Sequence, residues 1–177
     1  MAAPLARSSA APQAALDALY GEHHRALYAY FYGHTADENQ AADLLQETFL
    51  RAWRRIGELA EMEPGRERYW LFGVARNLLI DSYRRRAARP SEPLDDAPEP
   101  AAPAGDRDAA LDLEAAIARL PAEQREALAL SALGGLTSAE IGEALGRPAG
   151  TVRYLLSLAR KTLSEQLGVG DRAKEMA

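Results

Sequence analysis

Residues 120–163 read LPAEQREALALSALGGLTSAEIGEALGRPAGTVRYLLSLARKTL, and the fold turns on this stretch. Pro121 suits the first turn of a helix, where its missing N–H costs nothing, and that helix is predicted to end at Gly134-Gly135. Thr137 then opens T-S-A-E, a capping box with Glu140 three residues on. The short helix it starts runs to Leu145 and stops at Gly146; another runs from about Ala149 to Leu167. The pair has the marks of a helix-turn-helix. Gly142 beside Ile141 lets the helices approach, Gly146 can take positive φ at the turn, and Val152 locks the second helix. Val152, Leu156, Ala159 and Leu163 form its core stripe. That rotates Gly150, Arg153, Tyr154, Ser157 and Lys161 to an open face, where such groups contact bases and phosphates. A helical hairpin with a merely solvated polar face has the same pattern, and spacing alone leaves both readings open.

Working upstream, the stretch RPSEPLDDAPEPAAPAGDRDAA begins at Arg89 and shows neither helical nor strand period. Residues 91–112 hold seven acids against Arg107 alone, so most of the net charge of −5 sits there. Such a composition reads as an extended, self-repelling linker. Residues 14–90, with 11 basic and 11 acidic side chains, and residues 113–168, with six of each, are neutral and free to carry local basic faces. The expected organisation is a disordered start at 1–13, a domain at 14–90, a flexible acidic linker at 91–110, a domain at 111–168 and a disordered tail at 169–177.

Ala, Leu, Glu and Arg dominate, which favours helix. The fold class is therefore all-α: two small helical domains joined by the linker, the C-terminal one with a helix-turn-helix. Three helices are predicted in the first domain, from about Ala14 to His34, Glu38 to Glu58 and Arg68 to Arg89, with a Pro-Gly loop before the third. The second should bury Leu45, Phe49, Ala52 and Ile56 and expose Asp43, Gln46, Glu47, Leu50, Trp53 and Arg54. A Leu and a Trp on a polar face suggest a partner surface, although a core Trp53 would give the same spacing. The third should bury Leu71, Val74, Ala75, Leu78 and Leu79. Phe72, Arg76, Asn77, Ile80, Tyr83 and Arg84 then face outward, with Trp70 at the margin and Arg84, Arg85, Arg86 and Arg89 as a basic end. Aromatics interleaved with Arg suit single-stranded DNA, bases stacking on rings while Arg neutralises phosphate; packing against a neighbouring helix is the alternative.

Several function classes drop out. With no Cys there are no disulfides, thiolate metal sites or thiol nucleophile. His23 and His24 are adjacent and point to different helix faces, so they form no ligand pair. No phosphate-cradling glycine loop and no nucleophile–base constellation is present, so neither enzymatic activity nor a cofactor is expected. The N-terminus lacks a signal-peptide pattern and no stretch is apolar enough to span a bilayer, so the expectation is a cytoplasmic protein without membrane insertion.

Three collinear stretches together resemble the sigma factors of RNA polymerase, of the sigma-70 family's extracytoplasmic-function (ECF) group. ADLLQETFLRAWRRI, from Ala42, resembles the segment that grips the polymerase clamp. This implies core-polymerase contacts by Asp43, Gln46, Glu47, Leu50, Trp53 and Arg54. YWLFGVARNLLIDSYRRR, from Tyr69, resembles the segment that melts and reads the −10 element, implying contacts by Trp70, Phe72, Arg76, Asn77, Ile80, Tyr83 and Arg84. Residues 120–163 resemble the −35-reading domain, implying contacts by Gly150, Thr151, Arg153, Tyr154, Ser157, Arg160 and Lys161. Tyr154, Leu155 and Leu158 stand where the family commonly has Ser, Arg and Arg. The resemblance implies core RNA polymerase, promoter DNA and an anti-sigma protein as partners, and promoter recognition, melting and initiation as the function. A stand-alone helix-turn-helix regulator with a helical sensor domain is the alternative; Leu50 and Trp53 favour the sigma factor, because a lone regulator needs no clamp site.

Overall fold

The computed structural model describes residues 10–88 and 107–168, all of whose regular elements are α-helices. Most of the stretch read as linker, and the tail from 169 on, lie outside the described residues. The chain divides into two compact units, residues 1–97 and 98–177.

The first unit holds α1 (Ala10–Thr35), α2 (Glu38–Arg54), α3 (Ile56–Ala60) and α4 (Arg66–Ala87). Between α1 and α2 the chain reverses through Ala36, at φ 50°, and Asp37. The Asp37 side chain accepts a hydrogen bond from the Gln40 N–H at 2.9 Å and so caps α2. Leu27, Tyr30 and Phe31 of α1 are fully buried, and Phe72 of α4 meets Tyr30 edge-on, centroids 5.7 Å apart. Thr48 is buried without penalty because its hydroxyl donates to the Leu44 carbonyl at 2.8 Å.

Three expectations change here. The first helix begins at Ala10, inside the stretch 1–13 read as disordered, and residues 1–9 lie outside the described residues. The second helix does not run unbroken to Glu58: Arg55 leaves helical geometry at φ −121° and ψ 18°. The break re-aims the chain so that Ile56 and Leu59 both reach the core and α3 packs on α1. The α2 stripe is Ala41, Leu44, Thr48, Phe49 and Ala52, with Leu45 half-buried, because α2 packs against α1 and α4 and its buried arc is wide.

The second unit holds α5 (Arg107–Ala118), α6 (Ala122–Ala132), α7 (Ser138–Leu145) and α8 (Ala149–Gln166). The helix α5 was not foreseen, and it begins inside the stretch 91–110 read as linker. Pro121 is the N-cap of α6 rather than its first residue, and α6 ends at Ala132 rather than at the glycine pair. Arg125 donates to the Ala118 carbonyl at 2.9 Å, tying α6 to the end of α5. Both hydrogen bonds of the Thr137–Glu140 capping box form, and Gly146 ends α7 at φ 65°. Arg147 and Glu123 form an ion pair between the turn and α6. The core gathers Leu120, Ala127, Leu130, Leu136, Ile141, Val152, Leu156 and Ala159.

His23 is buried in the first unit, its Nε2 without a hydrogen bond and 3.9 Å from Glu22 Oε1. Burial holds the imidazole below its ordinary pKa of 6.5; Glu22 and Glu67 oppose this and Arg68 adds to it.

Two outcomes are expected. A Cβ at Gly142 would stand 2.5 Å from the Arg147 carbonyl oxygen, a backbone atom that cannot rotate away. Gly142→Ala should therefore destabilise the second unit by about 1–3 kcal/mol, measured by denaturant unfolding. For His23, the unfolded chain takes up a proton that the folded chain refuses. Its contribution is thus present above pH 6.5 and is lost as the pH falls from there towards the lowered folded value. Unfolding at pH 7.5 and 5.5, on the order of one unit either side of the ordinary His pKa, should show a smaller loss in His23→Leu than in the wild type; equal losses would refute this.

Candidate functional site

Three helix faces remain after the cores are assembled. On α8, Val152, Leu156 and Ala159 point inward. Gly150, Arg153, Tyr154, Ser157 and Lys161 are exposed, on the face that the spacing assigns to them, and Thr151 and Arg160, which the resemblance adds, are exposed too. Tyr154 stands out, an aromatic 65% exposed in the second turn. Leu155 and Leu158 are half-buried on the flanks. The first turn of α8 leaves backbone N–H groups without intrahelical partners, which favours an anion such as phosphate at that end. Lys161 lies 3.8 Å from Glu165 Oε1, an exposed pair of little strength.

On α2, Asp43, Gln46 and Arg54 are exposed, with Leu50 at 44% and Trp53 at 42% exposure. Glu47 is half-buried and accepts from Arg51 Nε at 3.0 Å. Trp53 is thus not a core residue. The sequence reading did not single out Tyr20 on α1, which packs against Phe49, centroids 4.9 Å apart, yet stays exposed. Its signal was weak: on a helix that also carries Tyr28, Tyr30, Phe31 and Tyr32, spacing does not tell which ring packs and which protrudes.

On α4 the expected outer face is only partly there. Phe72 is 1% exposed and belongs to the core, so it cannot stack on a base; α4 packs against both α1 and α2, and the arc on which Phe72 falls is covered. Trp70, Arg76 and Ile80 are half-buried, while Asn77, Tyr83 and Arg84 are exposed. The Tyr83 hydroxyl donates to the His34 carbonyl at 2.7 Å, which tethers the end of a ring that stays 40% exposed. Arg84 lies 3.7 Å from Asp81, and Arg86 donates to Gln40 Oε1 at 2.6 Å. The last turn of α4 thus gathers Arg84, Arg85 and Arg86. A groove of about 780 Å³ separates this end from α2, lined by Asp43, Glu47, Arg51, Asp81, Arg84 and Arg85 among others.

Among the described residues no cluster of His, Asp and Glu could hold a metal ion, and no helix is long and apolar enough to cross a membrane.

Comparison with known proteins agrees with this geometry. The family model "Sigma-70 region 2" matches residues 19–89, and "Sigma-70, region 4" matches residues 110–163. The chain is similar to the ECF RNA polymerase sigma factor SigL of Mycobacterium tuberculosis, 40% identical over 177 aligned positions covering 92% of this chain and 96% of the relative. SigM of the same species is 31% identical over 164 positions, covering 93% and 83%. Among solved structures, the sigma factor RpoE of Bartonella quintana, crystallised with the anti-sigma factor NepR, superposes with a TM-score of 0.64 at 27% identity, covering 86% of this chain and 96% of that one. CnrH in complex with the cytosolic domain of CnrY gives a TM-score of 0.60 at 27% identity, covering 89% and 90%.

Proposed function

From the premise that the chain belongs to the sigma-70 family of RNA polymerase sigma factors, in its ECF group, we propose a division of labour among its three open faces. The protein binds core RNA polymerase and directs it to promoters, where transcription initiates. In the proposed division the outer face of α2 seats the polymerase. Asn77, Ile80, Tyr83 and Arg84, with Trp70 and Arg76 at the edges, engage the opened −10 element. The exposed side of α8 reads the −35 element in the major groove.

The carrying observation is the exposure of Leu50 and Trp53 on an otherwise polar helix. Large apolar side chains left in water at a charged rim are what a partner surface requires, with an aromatic anchor at its centre. Tyr20, packed on Phe49, extends that surface onto α1. The α4 face supports strand capture on similar grounds: Tyr83 is held by its hydroxyl, so its ring is ordered before a base arrives, which lowers the entropy lost on binding. The α8 face supports duplex reading because it presents its first two turns, the part of a recognition helix that meets base edges.

Relatives of this fold are known in complexes with an anti-sigma factor, and an anti-sigma protein is proposed as a partner here too. The chain is proposed to act in the cytoplasm and to carry no catalytic group of its own, the chemistry of RNA synthesis belonging to the polymerase.

Trp53→Ala should weaken binding to core polymerase by about 2 kcal/mol or more, and Asp43→Arg with Glu47→Arg by roughly 2–5 kcal/mol. Both should leave helicity unchanged, since neither site is in the core. Titration of labelled chain with core enzyme checks this, and undiminished affinity in both variants would remove α2 as the clamp site. Arg76→Ala and Tyr83→Ala should slow promoter opening more than they weaken duplex binding, read by permanganate reactivity of the melted strand.

A further inference from the structure

Gly150 lies in the first turn of α8, where alanine would be the better helix former. Nothing inside the protein asks for glycine there. A Cβ at this position would meet only Arg153 Nη2, at 3.9 Å, an ordinary contact. This differs from Gly142, where the backbone of the turn fills the space. The room above Gly150 is therefore open towards solvent on the DNA-facing side. A long side chain on a helix leans towards the N-terminus, over the residue four before it. For Tyr154 that residue is Gly150. Tyr154, the most exposed large hydrophobic side chain of the described residues, thus shares the open face with the one position there that has no side chain, its ring more than 4 Å from where a Cβ would stand. The Arg153 guanidinium stands at the same corner.

The exposed ring, the guanidinium and the open space at Gly150 share one face near the start of α8, where the missing side chain leaves a shallow notch. Its chemistry is apolar on one wall and cationic on the other. In the major groove, the C5-methyl of thymine is the one apolar group a base pair presents. A phenol ring beside a missing Cβ can cover that methyl with a large apolar face, which a short hydroxyl side chain at 154 does not offer. Building on the proposed −35 reading by α8, we propose that Tyr154, with the space left by Gly150, is a specificity-determining residue that selects thymine at one position of the −35 element through its methyl group. Arg153 orients the contact by engaging the neighbouring base or phosphate. Leu155 and Leu158, half-buried on the flanks, hold the helix rather than read DNA.

Replacing thymine by deoxyuridine removes the methyl and nothing else. Holoenzyme assembled from the full-length chain and core polymerase would first be used to recover bound duplexes from a randomised promoter pool. Each thymine of the upstream element would then be exchanged for deoxyuridine in turn. One exchange should weaken binding about fourfold, the worth of a buried methyl group. Tyr154→Phe should keep the penalty, because the ring and not the hydroxyl makes the contact. Tyr154→Ser should abolish it, and Gly150→Ala should reduce it by filling the notch while helicity is retained. Equal binding of thymine and deoxyuridine duplexes at every position, or an undiminished penalty in Tyr154→Ser, overturns the proposal while leaving −35 reading by α8 intact. Recovery of no upstream sequence by a holoenzyme that still assembles would overturn that reading and the proposal with it.

Discussion

In α7 the backbone at Gly142 comes so close to the following turn that a Cβ would lie 2.5 Å from the Arg147 carbonyl oxygen and 3.3 Å from the Ala149 nitrogen. Both neighbours are backbone atoms, so no change of rotamer could make room. The approach is held by the Arg147 N–H donating to the Gly142 carbonyl at 2.8 Å and by Gly146 at φ 65°. These contacts leave the chain little choice of direction as it enters α8. Once that direction is set, Val152, Leu156 and Ala159 fall inside with Ile141 and Leu130, and a helix of 3.6 residues per turn has to send Gly150, Arg153, Tyr154 and Ser157 outward. The open face of α8, proposed above to read DNA, is thus a consequence of the packing constraint at the turn, with no contact of its own needed to hold it.

The first unit distributes its circumference less evenly. The helix α4 packs on both α1 and α2, and Leu71, Phe72, Ala75, Leu78, Leu79 and Ser82 are all enclosed. What remains open is a narrow strip ending in Arg84, Arg85 and Arg86. On α2 the division is cleaner, because an apolar pair, Leu50 and Trp53, lies opposite the buried arc. Their exposure costs the free protein the hydration of two large side chains, and a protein partner that covers them recovers it.

Much of this was legible in the chain. The Thr137–Glu140 capping box, the turn glycines and the stripe of Val152, Leu156 and Ala159 are local signals, and the helix-turn-helix of the second unit follows from them, although Leu163, expected in that stripe, is only half-buried. The misreadings share a different cause. Phe72 lies about 100° from Leu71 around the helix, and only the number of neighbouring helices determines whether that arc is wet or covered. The break at Arg55 has no Gly or Pro to announce it; it arises because Ile56 and Leu59 both have to reach the core. The start of α5 at Arg107 follows a run of Pro and acid that drowns a helical period of only a few residues. Tertiary coverage, which spacing does not encode, decided the first two, and composition hid the third.

The charge pattern bears on how such a chain finds its target. Duplex affinity that rests on phosphate neutralisation rises with each counterion released. Here the net charge is −5, and cations on the open faces have carboxylates close by: Lys161 beside Glu165, Arg84 beside Asp81, Arg51 on Glu47. Exposed pairs like these add little to stability, yet they lower the potential that would draw the chain onto arbitrary DNA. Specific contacts and the apolar surface of α2 then carry a larger share of the binding free energy. A subunit built this way gains little from DNA of any sequence while alone. It gains much when the polymerase places both of its units against a promoter, because two modest contacts joined on one body act at high effective concentration.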